Sequence, residues 1–252
     1  MTPATEPLLS QLRSRYLDSL CEPQELYCET ANRKAAAYLS WVSNEVIGYL
    51  LTDGSGTLLE FHVVDERRAE AAFDQAVRAH SIRRALCKSF DHLLLSLCLE
   101  RAVVAKPTGV LFRTIVDEIF LPRETIGMRL AELRDLQRIK AINDGFFEND
   151  DEIGLFIERR SLILYDQEDE LVGCGLVQPV IAGRAGHDIG MLVSPSRRRV
   201  GFGEYIVRHL KVHCLSQGFR PICGCDIENS ASRACLEAAG FRSRHRLVEL
   251  QW

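Results

Sequence analysis

Hydrophobic residues in the first half of the chain fall into short apolar runs, broken by turn residues such as Ser43-Asn44 and the cluster 53–56. Runs of this length between such turns predict the strands of an antiparallel meander, whereas apolar residues spaced three and four apart predict helices. The predicted elements are, in order, a helix at 8–20, strands at 35–42, 45–52 and 57–64, a helix at 66–80, a strand at 82–87, a helix at 91–101, and closing strands at 103–105 and 110–116.

The second half starts afresh after Pro122, where the charged residues Arg123 and Glu124 mark the predicted domain boundary. Its predicted elements are a strand at 125–130, a helix at 132–147, a loop with a short helix at 148–159, strands at 161–166, 170–179 and 187–193, a helix at 201–217, a strand at 221–226, a helix at 231–239, and a last strand toward Trp252. Both halves contain three strands, a helix, a strand, a helix and a strand, so we expect two tandem domains, 1–121 and 122–252, although any α+β sequence offers some such match. The predicted class is α+β, with a mixed, mostly antiparallel sheet flanked by helices.

Length, net charge and cysteine content exclude several classes of partner. A length of 252 residues fits one large domain or two of ordinary size, and a net charge of −4 with no basic run longer than 197–199 argues against a nucleic-acid partner. The apolar stretch Leu93–Leu99 is too short to span a membrane, and the first residues lack a secretory signal pattern, so we expect a cytoplasmic protein without a membrane partner. An odd number of cysteines, nine, indicates reduced thiols, and the spacing of Cys223-Gly-Cys225 does not fit zinc, so we expect no metal.

A glycine turn provides the first chemical signal. Arg198-x-x-Gly201-x-Gly203 lies between a predicted strand and a predicted helix, where glycines let backbone N–H groups approach a ligand and the helix start favours an anion. Residue 206 is Ile, so the dinucleotide fingerprint is incomplete, and the Walker A lysine is missing. The turn alone is a weak signal, because short glycine patterns recur by chance.

Two linked segments make the signal specific. The stretch Ile189–Gly203 resembles the strand-turn-helix signature of the GNAT acetyltransferases, and Asn229–Phe241, with its Gly240-Phe241 end, resembles the closing motif of the same family. The resemblance covers about 125–252 and implies that acetyl-CoA is the co-substrate, lying between two splayed strands. It further implies that the Leu192 or Val193 amide forms an oxyanion hole and that the amides of 199–204 hold the diphosphate.

The resemblance also implies side-chain contacts to the cofactor, in which Arg197, Arg198 or Arg199 binds the ribose phosphate. The alternative is that these arginines only form a solvent-exposed turn and bind no ligand. The complete predicted cofactor set is Leu192, Val193, Arg198, Arg199, Val200, Gly201, Phe202, Gly203, Glu204, Asn229 and Arg233.

Transfer of an acyl group to an amine needs a proton acceptor, because a lysine-like amine has a pKa of about 10.4 and is protonated at neutral pH. His187 occupies a strand position that some members of the family fill with a base, and Asp188 is the reserve. The family commonly has a tyrosine acid four residues before the glycine of Gly-Phe, but here that residue is Leu236. Tyr205 or Cys235 could replace it, although buried packing is the favoured explanation for both residues.

The sequence says less about the amine substrate that would accept the acetyl group. The carboxylates of Glu148, Asp150, Asp151 and Glu152 either attract a cationic amine or cap a helix. In the first half, the segment 65–71 stands where the phosphate turn belongs and lacks glycine, so we expect a degenerate, structural copy. The leading hypothesis is an N-acetyltransferase acting on a small amine or a peptide by direct attack, with a homodimer as the candidate assembly. The alternatives are a non-catalytic acyl-CoA sensor and a scaffold.

Overall fold

The computed structural model describes residues 1–117 and 119–252, which form two compact units. The first unit contains 1–111, 226–228 and 244–252, and the second contains 112–225 and 229–243. Strands that begin in one unit therefore end in the other, and a division of the chain at a single residue does not reproduce the two units.

The first unit combines β-strands with four α-helices. In chain order its elements are β1 (Thr2–Pro3), α1 (Glu6–Ser19), α2 (Leu26–Asn32), β2 (Ala36–Val42), β3 (Glu45–Thr52), β4 (Thr57–Val63), α3 (Ala69–Ala79), β5 (Arg84–Lys88), α4 (His92–Leu99) and the first part of β6 (Val104–Ile115). Neighbouring strands β1 to β4 are antiparallel, whereas β4 and β5 are parallel.

The second unit contains the end of β6 and repeats this order. Its further elements are β7 (Gly127–Leu130), α5 (Leu136–Ile142), α6 (Asp150–Glu158), β8 (Leu162–Gln167), β9 (Glu170–Pro179), β10 (Gly186–Val193), α7 (Phe202–Ser216), β11 (Arg220–Asp226), α8 (Ser230–Ala238) and the start of β12 (Phe241–Gln251). Strands β7 to β10 are antiparallel, and β10 and β11 are parallel. The residues of β12 from Leu247 to Gln251 pair with β5 in the first unit.

Glycines on β9 let α7 pack closely on the sheet of the second unit. A Cβ added at Gly175 would lie 2.7 Å from a methyl carbon of Leu210, and one at Gly173 would lie 3.1 Å from Cδ1 of Ile206. Met191 is the cross-strand partner of Gly175 and shares its face of the sheet. The residues of β10 therefore alternate between α7 on one face and α5 with α6 on the other.

The predicted α+β class, the mixed sheet and the tandem arrangement are confirmed, and three local predictions are wrong. The seven-residue helix α2 was missed, because it is short and is started by the side chain of Glu25, which accepts the Cys28 N–H. The two closing strands of the first half are the single strand β6, in which Pro107 marks no break. The helix predicted to reach residue 147 ends at Ile142, because Asn143 accepts the amides of Phe146 and Phe147.

Candidate functional site

A slot opens between β10 and β11 in the second unit. The two strands pair only from Gly186 to Asp188 on β10, and no register continues beyond the pair Asp188 and Ile222. Farther along β10, the backbone groups on this edge are not used by the β10–β11 ladder. The predicted splayed pair of strands is therefore present.

The ladder hydrogen bonds show which amides of β10 face the slot. Ser194 N–H donates to Val172 O on the β9 side, whereas Ala185 O accepts Arg220 N–H on the β11 side. Because backbone groups alternate along a strand, the amides of Met191 and Val193 point into the slot and that of Leu192 points toward β9. Of the two amides predicted to form the oxyanion hole, that of Val193 therefore faces the slot. The amide of Met191 faces it as well but was not predicted, although residues two apart on a strand direct their amides to the same edge.

The slot leads to the glycine turn at the start of α7. Arg199 and Gly201 adopt left-handed φ values of 63° and 87°, and the helix begins at Phe202. A Cβ at Gly203 would lie 2.9 Å from the sulfur of Cys235 and 3.6 Å from a methyl carbon of Val193. The turn therefore joins the end of β10 to the α8 side of the slot with no side chains at its two glycines, which is the geometry that a diphosphate needs.

The remaining predicted cofactor residues surround this turn, and their side chains already have partners. Glu204 accepts Arg208, and Asn229 caps α8 by accepting the Ser232 amide at 2.9 Å. Arg233 pairs with Glu237 one turn along α8 at 3.0 Å. Val200 is exposed, and Phe202 is buried. The structure brings these residues to one end of the slot without assigning any of them a cofactor contact.

His187 lies at the closed end of the slot. Its ring stacks on Phe219 at a centroid distance of 3.8 Å, and its Nδ1 lies 3.1 Å from Ala185 O. Since a carbonyl only accepts, Nδ1 carries the proton and Nε2 is the basic nitrogen. Met191 follows four residues later, or about 13 Å along an extended strand, so a proton from that position would travel through water. Asp188 is half-buried on the opposite face, toward α5 and α6.

The three residues considered for the acid step differ in their surroundings. Leu236 is buried at 2% exposure. The hydroxyl of Tyr205 accepts Arg123 N–H at 3.2 Å, so it is occupied beside the turn. Burial, with a smaller effect of Glu204, raises the pKa of Cys235 to about 11. A thiol with that pKa is a poor proton donor to the thiolate of CoA, because the CoA thiol has a pKa of about 8.5.

The loop between α5 and α6 covers the middle of β10. A Cβ at Gly190 would lie 3.0 Å from Cζ of Phe146, so the ring sits directly on the strand. The predicted acidic stretch lies mostly in the first turn of α6, where Asp150 pairs with Lys140 at 2.6 Å and Glu152 accepts the Glu148 amide. Carboxylates in this position stabilise the helix dipole, which supports the capping interpretation.

The equivalent position in the first unit differs. Strands β4 and β5 pair only at Thr57–Leu58, so they splay as β10 and β11 do. At the turn that follows β4, Asp65 accepts the Arg67 amide and binds its guanidinium at 2.9 Å. A turn held by its own carboxylate and lacking glycine offers no backbone cradle to a phosphate.

Buried ionic groups fill the face of β4 that α1 and α2 cover. The fully buried carboxylate of Glu60 accepts hydrogen bonds from Arg13, Gln24, Asn32 and Tyr49. Beside it, Tyr16 donates to Asp91 at 2.6 Å and accepts from the buried Lys88 at 2.6 Å. Burial, reinforced by the negative charge of Asp91, raises the pKa of Tyr16 well above its usual value. The protein's own side chains therefore fill the space beside this face of β4.

Comparison with protein-family models gives two matches along the chain. Residues 7–115 match an acetyltransferase (GNAT) domain, and residues 128–241 match the acetyltransferase (GNAT) family. The chain carries two GNAT domains in tandem. The first half was predicted as a degenerate repeat, and its own family match shows a fuller tandem arrangement than that prediction described.

Solved structures share the fold of the tandem GNAT chain over most of its length. An acetyltransferase of the GNAT family from Colwellia psychrerythraea is 22% identical with a TM-score of 0.88, and the match covers 100% of this chain and 98% of that chain. A tandem GNAT protein from the clavulanic acid biosynthesis pathway is 13% identical with a TM-score of 0.63, over 100% and 97% of the two chains. A GCN5-related N-acetyltransferase from Sphaerobacter thermophilus is 15% identical with a TM-score of 0.61, over 86% and 80%. The search of curated proteins found no match.

Three further observations concern metals, membranes and cysteines. Within residues 1–117 and 119–252, no group of three or more His, Cys, Asp or Glu side chains could hold a metal ion. In the same residues, no helix is both long and apolar enough to cross a bilayer. All nine cysteines are free thiols.

Proposed function

We propose that the chain is an acetyl-CoA-dependent N-acetyltransferase and that its second unit performs the reaction. The observation that carries this proposal is the slot itself, in which β10 leaves β11 after Asp188, presents the amides of Met191 and Val193, and ends at the glycine turn of α7. An extended pantetheine chain fits such an edge as an added strand, and the diphosphate fits the helix start.

In the proposed reaction, a neutral primary amine attacks the thioester carbonyl of acetyl-CoA. The carbonyl oxygen becomes an oxyanion, which the amides of Met191 and Val193 stabilise because they already point into the slot. The C–S bond then breaks, CoA leaves as a thiolate, and the acetyl group stays on the amine nitrogen. The proton lost by the amine passes through water to Nε2 of His187, with Asp188 as the alternative acceptor.

Leu236 is compatible with this sequence of steps. A thiolate whose conjugate thiol has a pKa of about 8.5 is stable enough at neutral pH to leave without a protonated side chain beside it. The phosphates would be bound by the backbone amides from Arg199 to Glu204, with Arg198, Asn229 and Arg233 as candidate side-chain contacts. The first unit, whose turn lacks glycine, is proposed to be structural and to bind no cofactor.

A non-catalytic acyl-CoA sensor is the second candidate, and Leu236 in place of the tyrosine favours it. Melting temperature measured with and without acetyl-CoA tests both candidates, because a ligand that binds only the native state stabilises it by about 2.7 kcal/mol at a hundred times its Kd. No shift at saturating acetyl-CoA contradicts both. Release of free CoA thiol in the presence of a panel of primary amines then separates them, since only the enzyme shows amine-dependent turnover.

A further inference from the structure

Two of the three arginines at the glycine turn pair with carboxylates. Arg197 forms a salt bridge with Glu170. Arg198 donates from its guanidinium to Asp144 at 2.5 Å and from Nε to Val193 O at 3.1 Å. Two of the three cations predicted to meet a phosphate are therefore already neutralised by carboxylates of their own unit.

A different arginine reaches the same turn from outside the motif. Arg123 lies ahead of β7, and its guanidinium carbon is 5.1 Å from the ring centroid of Tyr205 and 5.9 Å from that of Phe202. Its backbone N–H donates to the Tyr205 hydroxyl at 3.2 Å. Aromatic faces attract a guanidinium, so these contacts favour one position of this exposed side chain before any ligand arrives.

The held guanidinium lies at the glycine that starts the helix. Its Nη2 would be 3.7 Å from a Cβ added to Gly201, so it is within a few ångströms of the backbone that would cradle a diphosphate. Among the residues that the structure describes, Arg123 forms no ion pair, in contrast to Arg197 and Arg198. Its positive charge is therefore not offset by a carboxylate in this part of the chain.

An unneutralised cation at a helix N-terminus is unfavourable, because the first turn already carries about half a positive charge. The aromatic contacts explain how the side chain is held but leave this repulsion in place. A bound phosphate removes it, since it accepts hydrogen bonds both from the backbone amides and from a guanidinium.

We propose that Arg123 binds a phosphate of acyl-CoA and is the side chain through which the turn selects a phosphorylated carrier. The inference rests on the proposed function, because it assigns a ligand to the same site. The phosphate belongs either to the diphosphate or to the 3′-phosphate of the adenosine, and both offer the same oxygen acceptors.

Calorimetric titration of the full chain with CoA and with dephospho-CoA, which lacks the 3′-phosphate, tests the proposal. We expect Arg123→Gln to bind CoA about 10- to 100-fold more weakly than the wild type, the loss typical of a charge-assisted hydrogen bond. Arg123→Lys should recover part of the affinity, because it keeps the charge but not the planar stacking group. Arg134→Gln is the matched control, since this arginine is 72% exposed and pairs with Glu132.

The results for the two ligands show which phosphate Arg123 contacts and distinguish a failure of this inference from a failure of the proposed function. A loss for CoA alone identifies the 3′-phosphate, and an equal loss for both ligands identifies the diphosphate. Wild-type affinity of Arg123→Gln for both ligands overturns this inference and leaves the proposed function intact. If the wild type binds neither ligand, the proposed function and this inference both fail.

Discussion

At the level of single residues, the surroundings of His187 determine which of its ring nitrogens can accept a proton. The hydrogen bond to Ala185 O places the proton on Nδ1, and the stacking on Phe219 fixes the ring plane. A histidine held in one tautomer is ready to accept a proton through Nε2. Asp188 lies on the other face of β10, so the two candidate bases can be separated by mutation.

We predict that His187→Gln lowers kcat by about 10²- to 10⁴-fold, the usual contribution of a general base. The Kd of acetyl-CoA should stay the same, because the side chain lies at the closed end of the slot, away from the phosphate turn. Asp188→Asn serves as the comparison and should cost less than His187→Gln. A full rate for His187→Gln together with a collapsed rate for Asp188→Asn would transfer the role to Asp188.

A second histidine gives a prediction about stability. Burial, with a smaller effect of His213, lowers the pKa of His209 to about 4, and its Nδ1 lies 2.6 Å from the Tyr165 hydroxyl oxygen. His209 binds a proton at about pH 6.5 in the unfolded chain, but in the native state it resists protonation until about pH 4. The free energy of unfolding therefore falls as the pH drops between these values.

Melting curves of the wild type and of His209→Gln between pH 7 and pH 4 check this effect. The loss of Tm on acidification should be smaller in the variant, because the titrating group is gone. His92→Gln, which replaces an exposed histidine at the start of α4, should retain the wild-type slope. Parallel slopes for all three proteins would contradict the assignment to His209.

At the level of strands and helices, both units contain a splayed strand pair, but the surroundings of β10 and of β4 differ. In the second unit the edge of β10 opens onto glycines, whereas in the first unit the carboxylate of Glu60 on β4 sits among Arg13, Asn32 and Tyr49. Removing one member of a buried, hydrogen-bonded charge cluster is costly, since the partners are left uncompensated. The cluster is therefore expected to stabilise the first unit.

We predict that Glu60→Gln lowers the free energy of unfolding by about 3–5 kcal/mol, measured by urea denaturation of the full chain. Glu45→Gln, a change of the same type at an exposed position on the neighbouring strand β3, should have almost no effect. Acetyl-CoA binding by the second unit should persist in both variants under native conditions. A loss below about 1 kcal/mol for Glu60→Gln would show that the cluster is not a main source of stability.

Much of this element structure follows from the apolar pattern alone. The runs that become β3, β4, β9 and β10 are bounded by turn residues, so their type and limits could be predicted within one or two residues. Helix α2 could not, because seven residues carry too little periodicity. The end of α5 depends on the side chain of Asn143, which accepts two amides of the following loop, an interaction that no hydrophobic pattern encodes.

At the scale of the whole molecule, the site was predictable where it depends on local sequence and hidden where it depends on distant segments. The turn from Arg198 to Gly203 could be found because its residues are contiguous. Arg123 lies 78 residues from Gly201 along the chain and meets it only through the fold. Strands β6 and β12 each have residues in both units. The order of elements along the chain does not reveal this division, because it depends on tertiary contacts.

The tandem arrangement makes the number of cofactor sites the central question. Both units carry the GNAT fold, but only the second joins a splayed strand pair to a glycine turn, where Gly201 has a φ of 87°. A β-branched residue at that φ would distort the turn and remove the phosphate cradle. The substitution Gly201→Val should therefore abolish cofactor binding if the second unit provides the only site.

The most direct measurement is a calorimetric titration of the full chain with acetyl-CoA, performed on the wild type and on Gly201→Val. We expect about one bound molecule per wild-type chain and no binding by the variant, with the variant still folded. Two bound molecules per wild-type chain, or undiminished binding by Gly201→Val, would contradict the assignment of the cofactor to the second unit alone.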